Sequence, residues 1–441
     1  YDLISNQYHQ HHDIEALPNG NLLAIAWEYM SEEDALNLGR DPASINESIW
    51  PTAILELKPI GISDVEIVWE WHLKDHLIQD IDPLKPNFGV IADHPELLDF
   101  NYNIPDSRKD FVHANSIDYN EELDQILISS HHTSEIWVID HSTTTEEAAG
   151  HTGGIYGKGG DFLYRWGNPA IYDRGTEDDR KLFLQHHASW IPNGYENAGK
   201  ISIYNNGVNR PGGNYSSSDI IDPPTDGNGN YIIDGGNAYG PEELYWTYDG
   251  NGQPFYSIIM CGTESLPNGN MLVCDSSNGN LTEVDQDGNI VWKYVIPVNN
   301  NGPVVQGTNP FSNSSFRAQR YSVDYSAFIG QDLTPGDPIE INPIPNNCEI
   351  FTPVNSISED QSINNIHISL SQDNTTLLIH NTSQVESLVV DVYNAIGQRV
   401  YTTKANGSYT SIDATLWSNG LSIIALSDAF GRHIGTKKIV R

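Results

Sequence analysis

The sequence is short of cysteine, of long apolar runs and of positive charge. Three cysteines stand in 441 residues, Cys261, Cys274 and Cys348, with neither metal-ligand spacing nor an even-numbered framework of bridges. Cys261 and Cys274 flank one hairpin turn, near enough to pair, which would leave Cys348 over; cysteine alone does not fix the redox compartment. No apolar run approaches the roughly 20 residues that span a bilayer, so no integral membrane helix is expected. Only 22 Lys and Arg stand against 59 acidic residues, a formal charge of −37. Such a surface repels nucleic acid and anionic lipid, though a few local His or Arg can still hold an anion. Acidity also keeps proteins soluble outside the cell. No leader segment is expected within this stretch, since Tyr1 opens directly on polar, His-rich sequence; an exported protein would be present here as a processed chain or a fragment.

What the chain does have is a repeating turn. LPNGN at 17–21 precedes LLAIAW, NEELD at 120–124 precedes QILISS, IPNGYENAG at 191–199 precedes KISIYNN, and LPNGN at 266–270 precedes MLVCDS. Asn-Gly between apolar runs is a strong hairpin signal because both residues tolerate positive φ. Each unit then reaches a second, aromatic strand: VEIVWEW at 65–71, DFLYRW at 161–166, ELYWTY at 243–248 and NIVWKY at 289–294. The turns begin at 17, 120, 191 and 266, intervals of 103, 71 and 75 residues, which exceed the ~40–50 of common propeller repeats and imply long insertions. Residues 74–110 and 207–240, polar and rich in Pro and Gly, are the expected loops. With few helix-period stretches, the fold class is all-β, and a radially repeated β-unit reads as a β-propeller. Tyr1-Asp2-Leu3-Ile4 resembles the tail of an aromatic strand such as WKYVI, so N-terminal blades are expected to be lacking here.

Histidine recurs with the turn. His12 stands five residues before Leu17 and His186 five before Ile191. His113 precedes QILISS by a slightly longer stretch, and the matching place in the fourth unit is Cys261. At the far end of the next strand, His131 shares the register of Trp27, Asn206 and Ser276. In a propeller these positions meet around the axis, so an imidazole cluster is expected at one mouth of the channel. A single His of this kind is readily a satisfied turn residue; three at matching places are not asked for by packing.

HHDIEALPNGN, HANSIDYN, ISSHHTSEIWVIDH and QHHASWIPNG, with SSFRAQRYSVDY near the end, resemble the arylsulfate sulfotransferase family (arylsulfotransferase-like propellers) from about residue 1 to residue 330. The resemblance implies a six-bladed propeller with its active site on the axis, no organic cofactor, and work in the periplasm or outside the cell. It implies that the His of the Gln-His motif, His186, takes the sulfuryl group from an aryl sulfate and passes it to a phenol. His12 and His113 match the supporting His-Asp and His-x-Asn motifs. The family has Arg after the Ser-Ser of the following strand; here the sequence reads Ser129-Ser130-His131-His132. Arg offers a fixed, charged fork for an oxyanion, whereas imidazole near pH 7 is only partly charged.

Sulfuryl transfer, like phosphoryl transfer, asks chiefly for positioning and charge neutralisation. A nucleophilic His splits it into two displacements, which gives ping-pong kinetics, with His12, His113 and His131 as hydrogen-bond donors. Two other readings stay open. Converging imidazoles (His12, His113, His186) suit a transition metal and a metal-dependent polysaccharide lyase or hydrolase, and a non-catalytic surface-binding propeller needs no chemistry. GGIYGKGG at 153–160 is no phosphate loop. DGNGNY at 226–231 lacks the Gly and the closing Glu of a calcium loop and reads as a turn, as does DQDGNI at 285–290.

Composition shifts after Phe351. The boundaries expected are a propeller over 1–351, a polar linker over 352–365 and a small module over 366–441. The module's short strands HISLSQ, TLLIHN, SLVVDVYN, QRVYTT and SIIALS, separated by turns such as NAIGQ and SNG, read as an Ig-like β-sandwich. VVDVYNAIGQRVY, LWSNGLSIIAL and GTKKIVR resemble the C-terminal sorting domain of type IX secretion substrates, with Lys437, Lys438 and Arg441 forming a basic end. That resemblance implies an exported, released or surface-anchored protein that engages the type IX machinery.

Overall fold

Each LPNGN stretch closes a hairpin. Leu17 N–H reaches Asn21 O at 2.9 Å with Gly20 at φ 86°, and Leu266 repeats the bond to Asn270 O at 2.8 Å with Gly269 at φ 84°. Glycine holds that left-handed backbone without strain, which explains why the turn recurs. The computed structural model describes residues 7–45, 47–102, 109–308, 310–323, 325–343, 366–371, 375–382, 387–394, 399–417, 421–428 and 433–440. Tyr1 to Ile4, Cys348, the 352–365 linker, the SNG turn, Arg441 and all but the first residue of NAIGQ lie outside them. The chain divides into two compact units, Tyr1–Ile344 and Pro345–Arg441.

The first unit is built from four antiparallel sheets, each of four strands taken in chain order. Sheet one holds β1 (Tyr8–Ala16), β2 (Leu22–Glu28), β3 (Thr52–Ile60) and β4 (Asp64–His72). Sheet two holds β5 (Ala114–Asn120), β6 (Gln125–Ser130), β7 (Glu135–Asp140) and β8 (Tyr164–Trp166). Sheet three holds β9 (His186–Trp190), β10 (Ile201–Asn205), β11 (Ser217–Ile221) and β12 (Trp246–Tyr248). Sheet four holds β13 (Gly262–Ser265), β14 (Met271–Asp275), β15 (Asn280–Val284) and β16 (Ile290–Val295). The aromatic strands expected to follow each hairpin directly are thus the fourth of each sheet. The third strands carry no Asn-Gly marker, and β11 lies inside the 207–240 stretch expected to be loop. Among its described residues, the 74–110 insertion holds short 3-10 turns (Leu73–His76, Ile91–Asp93), a two-residue parallel pairing of Leu77–Ile78 with Leu98–Asp99 and isolated bridges such as Gln79 with Phe88.

β6 and β7 are buried on both faces, so their sequences lose the alternation of a half-exposed strand. Leu23, Ile25, Ile54, Trp71, Ile128 and Trp137 belong to one core that joins sheets one to three, and Tyr204, Met271 and Val284 to a second that joins sheets three and four. Between β7 and β8, Arg165 forks onto Glu135 (Nε to Oε1 2.8 Å, Nη2 to Oε2 2.5 Å), both side chains fully buried. β16 is mostly exposed.

The first strands of successive sheets lie so close that side chains of one take up the outward backbone donors of the next. Ile117 N–H meets Asp13 Oδ2 at 3.2 Å, Ala188 N–H meets Ser116 Oγ at 2.9 Å, Trp190 N–H meets Asp118 Oδ2 at 2.6 Å, and Thr263 N–H meets His187 Nδ1 at 3.2 Å. Edge donors that would otherwise be buried without partners are satisfied in this way. β1, β5, β9 and β13 therefore sit side by side, and that positions the site.

In the second unit, β17 (Ile366–Leu370), β18 (Thr376–Asn381) and β21 (Tyr409–Asp413) form one antiparallel sheet. β20 (Arg399–Asn406), β19 (Ser387–Asn394), β22 (Leu421–Asp428) and β23 (His433–Val440) form the other, in that spatial order. Ile368, Ile379, Val390, Leu426 and Ile439 bury the alternate positions into a shared core. Among the described cysteines, Cys261 and Cys274 are buried free thiols rather than a bridge. No helix among the described residues is long and apolar enough to cross a membrane.

Candidate functional site

Three of the four first strands break register near their start. Pairing jumps from Gln10–Ala26 to Ile14–Ala24 in sheet one, from Ala114–Ser130 to Ser116–Ser129 in sheet two, and from His186–Tyr204 to Ala188–Ile203 in sheet three. His12, His113 and His187 lie at or beside these breaks with φ of 55°, 51° and 49°. That left-handed region is uncommon for any residue but glycine. Bulges re-aim side chains, and such strain gathers at functional sites. In sheet four the register is unbroken and Cys261, at φ 89°, stands in place of an imidazole.

The re-aimed rings meet. Ring centroids are 4.5 Å apart for His12 and His113, 5.2 Å for His113 and His131, and 4.8 Å for His131 and His186. The structure thus brings all four sequence-selected histidines into one row, extended by His11 beside His12 (4.9 Å) and His132 beside His113 (5.0 Å). Trp27 stacks on His11 at 4.2 Å, and Phe316 lies 6.4 Å from His12. His113, about one-quarter exposed, opens the row to solvent.

The partners fix which nitrogen carries each proton. Asn206 Nδ2 donates to Ser257 O at 2.8 Å, so its Oδ1 must face His186 Nδ1, 2.8 Å away. His186 therefore donates from Nδ1 and keeps its lone pair on Nε2, which accepts only a long bond from Met260 N–H (3.3 Å). Gln185 holds the strand carrying His186 against sheet two, donating to Ser130 O (3.0 Å) and Glu135 O (2.8 Å). His113 Nδ1 donates to Asp110 Oδ2, and Asp110 Oδ1 accepts from Trp27 Nε1 at 2.9 Å. Burial alone would raise the Asp110 carboxyl, but His113, His11 and the Trp27 N–H together hold it below its usual range.

Burial makes His186, His11, His12 and His131 neutral. It drives His186 down to about 3 against the Asn206 hydrogen bond, with the charges of His113, His12 and Arg317 adding to the fall. Burial and the neighbouring His12 lower His11 to about 3, and burial and His113 lower His12 to about 4. Burial, then His186 and His113, holds His131 well below 6.5. At pH 7 each offers one N–H donor and one lone pair.

Arg317 is the residue that sequence reasoning missed. Its Nη1 pairs with Asp13 Oδ2 at 3.0 Å, 304 positions away in the chain, and its guanidinium lies over Phe316 (5.4 Å). It adjoins the row closely enough to depress His12, His186 and His187. A Cβ on Gly262 would stand 2.9 Å from Arg317 Cγ and 3.2 Å from His187 Nδ1, so this glycine lets both side chains close on β13. Arg317 follows the last strand of sheet four, and no repeat or turn marks it. Three buried nitrogens of the cluster have no partner: Arg317 Nε, His131 Nδ1 and His11 Nε2. Each such atom costs about 1–3 kcal/mol when left unmet, and Arg317 Nε, which always carries its hydrogen, calls for an acceptor. Arg317 also supplies the permanent cation that the His131 position lacks.

Metal-ligand convergence lies elsewhere. Among the described residues, the group of three whose ligand atoms all fall within 4.8 Å of one another is His76, His151 and Asp161, not His12, His113 and His186. The Asp226 and Asp285 loops are turns in which the carboxylate caps its own backbone, Asp226 Oδ1 to Asn228 N (2.8 Å) and Asp285 Oδ1 to Asn289 N (2.8 Å).

Among solved structures, the chain is similar to a protein of unknown function from Bacteroides caccae (10% identity, 88% of this chain and 90% of that one, TM-score 0.27). It is also similar to virginiamycin B lyase from Staphylococcus aureus (8% identity, 99% and 85%, TM-score 0.28). A protein from Lactobacillus plantarum stands at 8% identity, 99% and 86%, with TM-score 0.29. Likenesses this loose carry nothing about chemistry. No curated protein matches the chain. A family model described as Arylsulfotransferase (ASST) matches residues 1–306. With its four sheets and its histidine row inside that span, the chain belongs to the arylsulfotransferase (ASST) family.

Proposed function

We propose that the protein is an exported β-propeller sulfotransferase that moves a sulfuryl group from an aryl sulfate to a phenolic acceptor through His186. The propeller reading is supported by four meander sheets whose first strands lie side by side. The observation that carries the chemistry is the state of His186: neutral, proton held on Nδ1 by Asn206, lone pair on Nε2 engaged only by a long bond from Met260 N–H. In the first displacement Nε2 forms a bond to sulfur, the sulfur–aryl oxygen bond breaks, and its electron pair leaves with the aryl oxide. Nδ1–H stays on Asn206 Oδ1, which stabilises the imidazolium character of the intermediate. Arg317 and the N–H groups of His12 and His131 meet the charge on the sulfuryl oxygens, while His113, its Nδ1–H held by Asp110, positions the row. In the second displacement the phenol oxygen takes the sulfur, the pair returns to Nε2, and the phenolic proton passes to a neutral imidazole of the row.

No cofactor enters these steps. The rival reading, a metal on His12, His113 and His186 serving a lyase or hydrolase, is disfavoured by the spread of their ligand atoms. The C-terminal unit, with Lys437 and Lys438 on its last strand, is read as the type IX sorting domain that delivers the protein outside the cell. The test is His186→Ala with p-nitrophenyl sulfate and a phenol. Transfer should fall by about three orders of magnitude or more, and the parent should show parallel-line, ping-pong kinetics insensitive to chelators. Robust turnover by the variant would remove His186 from the mechanism.

A further inference from the structure

At the periphery of sheets one and two, three side chains from separate segments converge. His76 ends the 3-10 turn Leu73–His76 after β4, whereas His151 and Asp161 lie in the excursion between β7 and β8. His76 Nδ1 and His151 Nδ1 each stand 2.8 Å from the same atom, Asp161 Oδ1. His76 is fully buried and stacks on Trp71 (5.4 Å, interplanar 2°), so its ring has no freedom to turn away. Its Nε2 lies 2.9 Å from Ala148 O. A carbonyl can only accept, so His76 Nε2 carries a proton, and Nδ1 is the ring nitrogen that faces Asp161 Oδ1 as a ligand atom. The arrangement also has the feature usual in metal-bound histidine, the far N–H donated to a backbone carbonyl.

We propose that His76 Nδ1, His151 Nδ1 and an Asp161 carboxylate oxygen form a binding site for a divalent transition metal, zinc by ligand type. Two imidazoles and one carboxylate suit that ion, with the remaining position open to water. The opening lies on the His151 side, where a cavity of about 640 Å³, lined by Asp75, His94, Glu96, His151 and Asp161, meets solvent. Asp75 and Glu96 add negative potential there. The packing is built around His76: a Cβ on Gly160 would fall 2.0 Å from Ala148 O and 2.7 Å from His76 Nε2. The metal would clip the 141–163 excursion to the exit of sheet one, separately from the histidine row and whatever that row's chemistry.

The test uses the full chain, freed of metal by chelator and titrated with zinc chloride by calorimetry and thermal unfolding. One equivalent should bind and raise the unfolding midpoint. His151→Ala, which alters a mostly exposed side chain, should lose both effects, and Asp161→Asn should weaken binding about tenfold or more. His12→Ala should keep the equivalent. Absence of zinc binding by the parent, or equal binding by His151→Ala, would overturn the proposal. So would an equivalent lost only with His12→Ala, which would place the metal in the row.

Discussion

His186 and His141 are both largely buried imidazoles beside β-strands, and burial pushes both toward the neutral form. His186 is driven to about 3, yet His141 rises to about 9. The difference lies in the second atom of each hydrogen bond. His141 Nδ1 meets Asp124 Oδ1 at 2.7 Å and Nε2 meets Glu56 Oε2 at 3.2 Å, so two carboxylates outweigh desolvation. His186 Nδ1 meets the uncharged amide of Asn206. In a chain carrying 59 acidic residues, the amide grip leaves His186 neutral, with its proton fixed on Nδ1 and its lone pair on Nε2. His72, also raised by its bond to Glu28 once burial is overcome, sides with His141. The acidic surface and the neutral row are thus two uses of one side chain, separated by which oxygen reaches it.

The two regions respond oppositely to pH. His186, His12 and His11 have folded values below the ordinary 6.5, so their contribution is intact above 6.5 and lost as pH falls through 6.5 toward about 4. His141 has a raised folded value, so its contribution is complete below 6.5 and fades as pH rises through about 9. Stability measured against pH should decline on both sides for these separate reasons.

After His186→Ala, the largest effect comes from removing the permanent cation beside the row. Arg317→Ala should lower kcat/KM for aryl sulfate by about 10²–10³-fold, and Arg317→Lys should restore only part, since an ammonium lacks the guanidinium fork; steady-state p-nitrophenol release reads both. Asn206→Asp converts the central environment into the peripheral one. With a carboxylate on Nδ1, His186 should protonate at higher pH, and the acid limb of the pH–rate profile should move upward while the parent stays flat down to about pH 5. An unmoved limb would mean that His186 is not the group being titrated. The smallest effect belongs to the outer pair: Asp124→Asn should cost about 1 kcal/mol of stability near neutral pH after solvent screening, most of it gone by pH 10, as read by denaturant unfolding.

Much of this geometry was legible in the sequence, for physical reasons that can be named. Asn-Gly turns have few structural alternatives, so LPNGN and IPNGYENAG located the first hairpin of three sheets. Repeated His offsets located the row, because strands that start at matching places in successive sheets bring matching positions together. β11 was not legible, since Ser-rich SSDII lacks both turn marker and apolar alternation. Arg317 stands in SSFRAQRYSVDY, but its role was not legible for another reason: its partner Asp13 is 304 positions away, and nothing local shows that this arginine turns inward. The positive φ of His12 and His113 likewise follows from bulges that no residue-level preference announces.

The most direct measurement traps the enzyme in mid-reaction. Protein mixed with p-nitrophenyl sulfate without an acceptor, then digested and mapped by mass spectrometry under alkaline conditions, should carry one sulfuryl group, on the peptide containing Gln185-His186-His187. The group should leave when a phenol is added, and it should be missing from His186→Ala. Transfer to the phenol at full rate with every histidine peptide unmodified would mean direct passage between substrates, and His186 would lose its central role.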